Sequence, residues 1–497
     1  MHFIALLNNH GDMLRRYSPT PPIWLALFCT ALIGRWLLVF LAPGSGGDSS
    51  VYATVAENIL LHQCVSLSPV DGAACVPSWG GNQLPGFSAF IAAVWFAFGP
   101  SHTAVLLCQS LIAVAAVGYL ARAILKFQHS AAIAFIIALV VLFSPLSMAW
   151  SRMFLTESLA VATTMCVFAE ILISFHIGRL RWFQIGMWWS AAIFVRYDSV
   201  LLVAPIAVSL FYLHGLSRAF RPAILLTLLV ALPLVTWAVR SATIGLGFLP
   251  NALVSANEGS STYGYFAWGA TWAIDQYDRP SWAFPVHARN YSGIRPPERA
   301  FANTLEKERI GALLERLAKS DGQPMPVDID RAFKDQAKNN IMDRPFETLL
   351  FVPLSRAANM WFSPFYSHAW PVELNAGMPG GKMSDVADRM VQLIMNNPGK
   401  VLVKALVGSY RYLLTVLFAL ATYHAIRHRR THPMMLRMIL MVLSFVLLRT
   451  LFFSATHANE TRYLTQIYPL MEVAVLLFFG TRTAGVDRDA SPPKIAC

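Results

Sequence analysis

IWLALFCTALIGRWLLVFL, running from Ile23 to Leu41, is an apolar stretch of the length that crosses a bilayer. Roughly 20 mainly apolar residues span a hydrocarbon core of about 30 Å. It follows Arg15 and Arg16 and carries no small-residue cleavage site, so it reads as a retained first helix and not a signal peptide. Similar stretches recur towards both ends of the 497-residue chain, of which 56% is hydrophobic and 13% charged. Soluble domains carry about 25% charged residues, so a water-soluble enzyme is excluded. From Ser241 to Gly399 charges become frequent and Pro, Gly and Asn scatter, which marks an extramembrane domain.

The net charge of +12 raises the question of nucleic acid. The basic residues sit at the ends of apolar runs, however, which is a topology signal, and no nucleic-acid partner is expected. Arg15 and Arg16 place the N-terminus in the cytoplasm, and residues 42–103, free of Lys and Arg, form an outer loop. Within it Pro85 to Phe98 is too short to span and reads as an interfacial helix. Further spans are expected at Ala104–Leu120, Ala131–Trp150, Ser158–Phe175, Trp182–Val195, Val200–Tyr212 and Ala223–Val239, then at Val401–Tyr423, Met434–Phe453 and Tyr463–Phe479. Every even-numbered helix ends in a basic cluster. The expected architecture is therefore an all-α polytopic membrane protein of about ten spans: an N-terminal membrane module (1–240), a mixed outer domain (241–399), a C-terminal membrane module (400–482) and a cytoplasmic tail (483–497). No internal repeat is visible, which weighs against a secondary transporter.

Of the six cysteines, only Cys64 and Cys75 share the outer loop, and an oxidising compartment lets them close a short disulfide; the others lie in or beside helices. Arg152, Arg196, Arg240 and Arg462 each stand where a helix meets the outer surface, where the positive-inside rule gives them no purpose. A phosphate at headgroup level suits the guanidinium fork. Snorkelling to ordinary headgroups, or pairing with Asp198, Glu157 or Glu460, is the alternative for each. Two carboxylates stand on the same side. Asp48 precedes a helix-like stretch from Ser49 to Leu61 and reads either as an N-cap or as a general base. Glu157 reads as a solvated turn residue, as a salt-bridge partner of Arg152, or as a group that orients substrate.

Gly47-Asp48-Ser-Ser-Val-Tyr52-Ala-Thr-Val-Ala56 resembles the Asp-x-x-x-Tyr-x-x-x-Ala stretch of membrane glycosyltransferases of GT-C fold, the branch holding dolichyl-phosphate-mannose protein mannosyltransferases, lipid A aminoarabinose transferases and glycosyltransferase family 39. Leu84-Pro85-Gly86-Phe87, Leu155-Thr156-Glu157, Trp237-Ala-Val-Arg240, the Ala337–Pro345 and Arg356–Trp361 segments, and Arg462-Tyr463 with Pro469 resemble later motifs of the same family in the same order. Phe87 stands for the usual Tyr, Ser241 for the frequent Asn, and Thr236 for the frequent Pro.

The resemblance implies an inverting transfer from a polyprenyl-phosphate sugar at the periplasmic face of a bacterial inner membrane, to a lipid, glycan or protein acceptor, among membrane lipids. It implies Asp48 as base with Glu157 beside it, donor phosphate at Arg240 and Arg462 with Arg196 and Arg152, and substrate contacts at Tyr52, Tyr463 and His457. Metal dependence varies among such enzymes, so a divalent cation stays open, and no His/Cys cluster has zinc-site spacing. A transporter or flippase of lipid-linked glycans could use the same arginines without a base, and a non-catalytic envelope scaffold is the third reading.

Overall fold

The computed structural model describes residues 19–67, 77–78, 84–128, 130–245, 262–275, 279–363, 366–372, 391, 394–431, 433–456 and 460–483. Its helices are α1 (Pro21–Leu41), α2 (Ser49–His62), α3 (Gly86–Phe98), α4 (His102–Gln128), α5 (Ala131–Leu142), α6 (Glu157–Ile177), α7 (Trp182–Val195), α8 (Val203–Arg218) and α9 (Phe220–Thr243). Then come α10 (Tyr263–Gly269), α11 (Arg279–His287), α12 (Thr304–Ala318), α13 (Val327–Asp343), α14 (Val352–Phe362), α15 (Pro398–Arg427), α16 (Pro433–Ala455) and α17 (Tyr468–Thr483). Among the described residues there is no strand, only an isolated bridge between Gly44 and Met153.

Among the described residues, seven segments are long and apolar enough to cross a membrane: α1, α4, α6, Tyr197–Gly215, α9, α15 and α16. The chain is a multi-pass membrane protein. The remaining three of the ten expected spans fall on shorter apolar helices, Ala131–Leu142, Trp182–Val195 and Tyr468–Gly480.

The expected helix from Ala131 to Trp150 in fact stops at Leu142. Pro145 disfavours helical geometry at Ser144 and brings no N–H of its own, so the chain turns and resumes as a 3-10 helix at Met148–Arg152. The carbonyls left open there are met from α1. Arg35, almost fully buried, donates to Leu142 O at 3.0 Å, Met148 O at 3.2 Å and Ser151 Oγ at 2.6 Å. An arginine inside an apolar run thus serves as a cap for a neighbouring helix.

Helix α6 is the hub. It is apolar all round, as a helix enclosed by protein should be, and Glu157 to Phe175 are all buried. It packs on α4, α7 and α17, with Ala160, Ala162, Ala169 and Ser174 allowing close approach.

Between α9 and α15 the chain builds a second core. Tyr265, Trp268, Trp272, Trp282 and Phe333 cluster there, and Asp330 of α13 accepts from Tyr265 N at 2.9 Å. Gly264 lets α10 approach α13 so closely that any Cβ would strike the Asp330 carbonyl. Arg356 of α14 donates to Ala270 O (2.7 Å) and Ala273 O (2.6 Å) of this unit and to Ser454 O (3.2 Å) of α16, tying the unit to the membrane helices.

Candidate functional site

The site begins with a backbone splice. Gly44 N donates to Arg152 O and Phe154 N to Gly44 O, both at 2.9 Å, which lays the turn before α2 alongside the turn before α6. Ser49 Oγ adds a bond to Phe154 O (2.8 Å) while accepting from Gly46 N (2.8 Å). A Cβ at Gly44 would overlap Met153 Sδ and Arg152 Nη1, so both side-chain ends would have to move to admit one. Through this splice Asp48, at the start of α2, and Glu157, at the start of α6, come to the same end of the bundle.

Asp48 occupies the N-cap position but makes no capping bond. Its carboxylate is about half exposed and faces Arg462 Nη2 at 3.6 Å. Arg462 also reaches Glu157 Oε1 at 4.0 Å and Glu460 Oε2 at 2.6 Å, so one guanidinium touches three carboxylates. Glu157 is buried and accepts from Arg196 Nη1 at 2.9 Å; its second oxygen, Oε2, has no partner among the described residues.

Arg196 is saturated. It grips Asp198 with two bonds (3.2 and 3.1 Å) and adds Thr156 Oγ1 (3.0 Å) to Glu157. The ring of Tyr463 lies 5.5 Å from the guanidinium of Arg196 and 5.4 Å from that of Arg462, and stacks on Phe453 at 4.4 Å. Burial works against charge on Arg196, yet Asp198 and Glu157 outweigh it and raise its pKa further. Arg462 is likewise raised, against its burial, by Tyr463, Glu157 and Asp48.

Tyr52 is buried edge-on against Phe87, 5.0 Å between centroids, and burial followed by the Asp48 charge raises its phenol. The unit between α9 and α15 contributes as well. Arg279 of α11 pairs with Glu460, and the phenol of Tyr366, raised by burial, lies within the field of Arg462 and Glu157. The imidazole of His287 is lowered, first by burial and then by Arg279, with Asp48 opposing.

Two of the expected phosphate arginines lie apart from this cluster. Arg152 donates to the carbonyls of Ala42 (2.5 Å) and Ala369 (2.7 Å) and pairs with neither Glu157 nor Asp48. Arg240 stacks on Trp237 (4.7 Å) and donates to Ser78 O (2.8 Å). It heads a groove of about 520 Å³ lined by Phe194, Leu232, Pro233, Thr236 and Trp237, and Phe194 lies just before Arg196. His457 and Cys75 fall outside the described residues, whereas Cys64 is disulfide-bonded. Among the described residues no group of three or more His, Cys, Asp or Glu is arranged to hold a metal ion.

Arg449 and Arg279 went unremarked in the sequence. Arg449 lies fully buried in α16 and donates to Asp198 Oδ2 (2.8 Å) and to the Tyr463 carbonyl. Its signal was available, since an ionisable residue inside an apolar run marks a site by default. Arg279 sits in polar text and had none.

The fold and site define a multi-pass membrane protein with an arginine–carboxylate cluster gathered at one end of its helices, beside an apolar groove. No family model matches the chain, and no curated protein matches it. Among solved structures, ArnT from Cupriavidus metallidurans bound to undecaprenyl phosphate aligns over 92% of this chain and 78% of its own, with 14% identity and a TM-score of 0.39. The apo state of the same protein aligns over 91% and 77%, with 14% identity and a TM-score of 0.37.

Proposed function

We propose that this protein transfers a sugar from a polyprenyl-phosphate donor to an acceptor at the outer face of the membrane, with inversion. The observation that carries the reading is Asp48: a half-exposed carboxylate that caps nothing, facing Arg462 and beside the buried Glu157. In a single displacement the acceptor oxygen or nitrogen bonds to the anomeric carbon while the bond from that carbon to the phosphate oxygen breaks. The acceptor proton goes to Asp48, and the electron pair leaves with the polyprenyl phosphate.

Arg462 faces the charge that develops on the leaving group, and the guanidinium of Arg240, at the head of the apolar groove, suits phosphate with its lipid chain along Trp237 and Pro233. The lone Oε2 of Glu157 suits a sugar hydroxyl. Arg196 and Arg152, whose forks are filled by carboxylates and by backbone carbonyls, support the site without binding donor. The periplasmic face of a bacterial inner membrane is the compartment this reading requires.

The test is transfer of a labelled sugar from a synthetic polyprenyl-phosphate donor by the purified protein in nanodiscs, with envelope lipids, glycans and proteins offered as acceptors. Label on one acceptor class supports the reading. Translocation of the donor across liposomes without transfer would replace it with a transporter.

A further inference from the structure

We infer that the segment leading into and forming α14 is a membrane-interfacial anchor, its outward face seated among the acyl chains of the leaflet at the Ala455 end of α16. The inference is independent of any transfer activity.

The segment begins with a π-helical turn at Glu347–Phe351 and continues as α14. Its two faces differ sharply. Val352, Arg356, Met360 and Trp361 are buried, whereas Phe346, Leu349, Leu350, Phe351, Leu354 and Phe362 are between 44% and 73% exposed. Six large apolar side chains on one short segment are not the scattered exposure normal for a surface. Elsewhere in the outer unit, among the described residues, exposed apolar residues such as Phe284, Leu305 and Val327 stand singly, apart from the neighbours Ile341 and Met342 just ahead of this segment.

Two contacts set the depth of this face. Trp361 Nε1 donates to Thr450 Oγ1 at 3.0 Å, and Arg356 Nη1 to Ser454 O at 3.2 Å, so α14 lies along the last turns of the membrane-spanning α16. At 1.5 Å per residue Thr450 is about 8 Å and Ser454 about 2 Å below the end of α16, so Trp361 lies within the roughly 5–10 Å to which interfacial helices sink their apolar face and the segment rises from there towards Phe346. On α16 itself Leu447 and Leu451, beside the residues that touch α14, are 52% and 64% exposed, so the span offers apolar surface next to the anchor. Arg344, ion-paired with Glu347 and Glu306, marks the polar upper edge. Because Arg356 also holds Ala270 and Ala273, the anchor fixes the height of the outer unit above the bilayer.

The test places a photoreactive benzophenone amino acid at Leu350 or Leu354 of the full-length protein in phospholipid nanodiscs, with Asp321 as the exposed control. Lipid adducts are expected at the first two positions and absent at Asp321. Adducts to a second protein chain, or none to lipid, would overturn the proposal. Hydroxyl-radical footprinting of the unsubstituted protein in the same nanodiscs guards against misfolded variants: Phe346 to Leu354 should stay unlabelled, and labelling there would also overturn it.

Discussion

Arg449 of α16 and Asp198, 251 positions apart in the chain, meet at 2.8 Å inside the protein, and Asp198 in turn holds Arg196 with two bonds. The relay ends at Glu157, so the burial of one intramembrane arginine is coupled to the geometry of the site.

Removing one partner of a buried pair leaves an uncompensated charge, which costs about 3–5 kcal/mol. Arg449→Met should therefore lower the thermal unfolding midpoint in detergent far more than Arg316→Met, which breaks an exposed pair with Asp328. Equal midpoints for the two variants would show that the Arg449 pair contributes nothing.

The splice at Gly44 gives a second prediction. In Gly44→Ala the added methyl overlaps Met153 Sδ and the Arg152 Nη1 that donates to Ala42 O, so these side chains must move or the turn carrying Asp48 must shift against Glu157. A displacement of about 1 Å at a reacting group can cost about 10²-fold in rate, and sugar transfer should fall on that scale while membrane yield changes little. Unchanged transfer would mean that Met153 and Arg152 absorb the methyl and the turn carrying Asp48 keeps its place.

Hydropathy alone located the apolar runs, because each helix that faces lipid must announce itself in composition. The break after Leu142 was also written in the text, at Pro145, but an apolar run on either side of a turn reads as one helix when only hydropathy is followed. The site was legible in part. Asp48, Glu157, Arg462 and Tyr463 come together, and the pairing considered as the alternative for Arg196 and Arg462 is present at Asp198, Glu157 and Glu460. Arg152 and Arg35 could not be read this way. Apart from the Ser151 hydroxyl that Arg35 also reaches, the partners seen for them are backbone carbonyls, which every residue carries and no pattern flags.

The ends of the helices give a topology that can be checked directly. Reporter fusions after Arg181 and after Arg430 should read as cytoplasmic, and fusions near Ser320 as external, following the basic clusters. A cytoplasmic signal at Ser320 would put the outer unit and the site on the wrong side for a periplasmic donor.

Cys64 is expected to be bridged to Cys75. Non-reducing peptide mapping of the membrane-extracted protein should recover the linked pair, whereas alkylation of both as free thiols would reject it. Cys29, Cys108 and Cys166 are free and should alkylate after unfolding, serving as internal controls.

The sharpest prediction turns on one carboxylate. Asp48→Asn keeps the shape of the side chain and loses its basicity, and since Asp48 makes no capping bond, no helix stability is lost with it. If Asp48 takes the acceptor proton, transfer should fall by about 10² or more while donor binding and membrane yield persist. Arg240→Ala should behave in the opposite way, weakening binding of the polyprenyl-phosphate sugar, because it removes the cation at the head of the apolar groove. Arg240→Lys should recover only part of that loss, since an ammonium cannot form two parallel bonds to phosphate. Arg462→Ala sits between the two: it faces both Asp48 and Glu157, so it should lower the rate and donor affinity together. Measuring transfer and donor binding on the same nanodisc preparations separates these outcomes. Asp48→Asn with normal transfer would remove the base and leave the cluster as a structural ion-pair network.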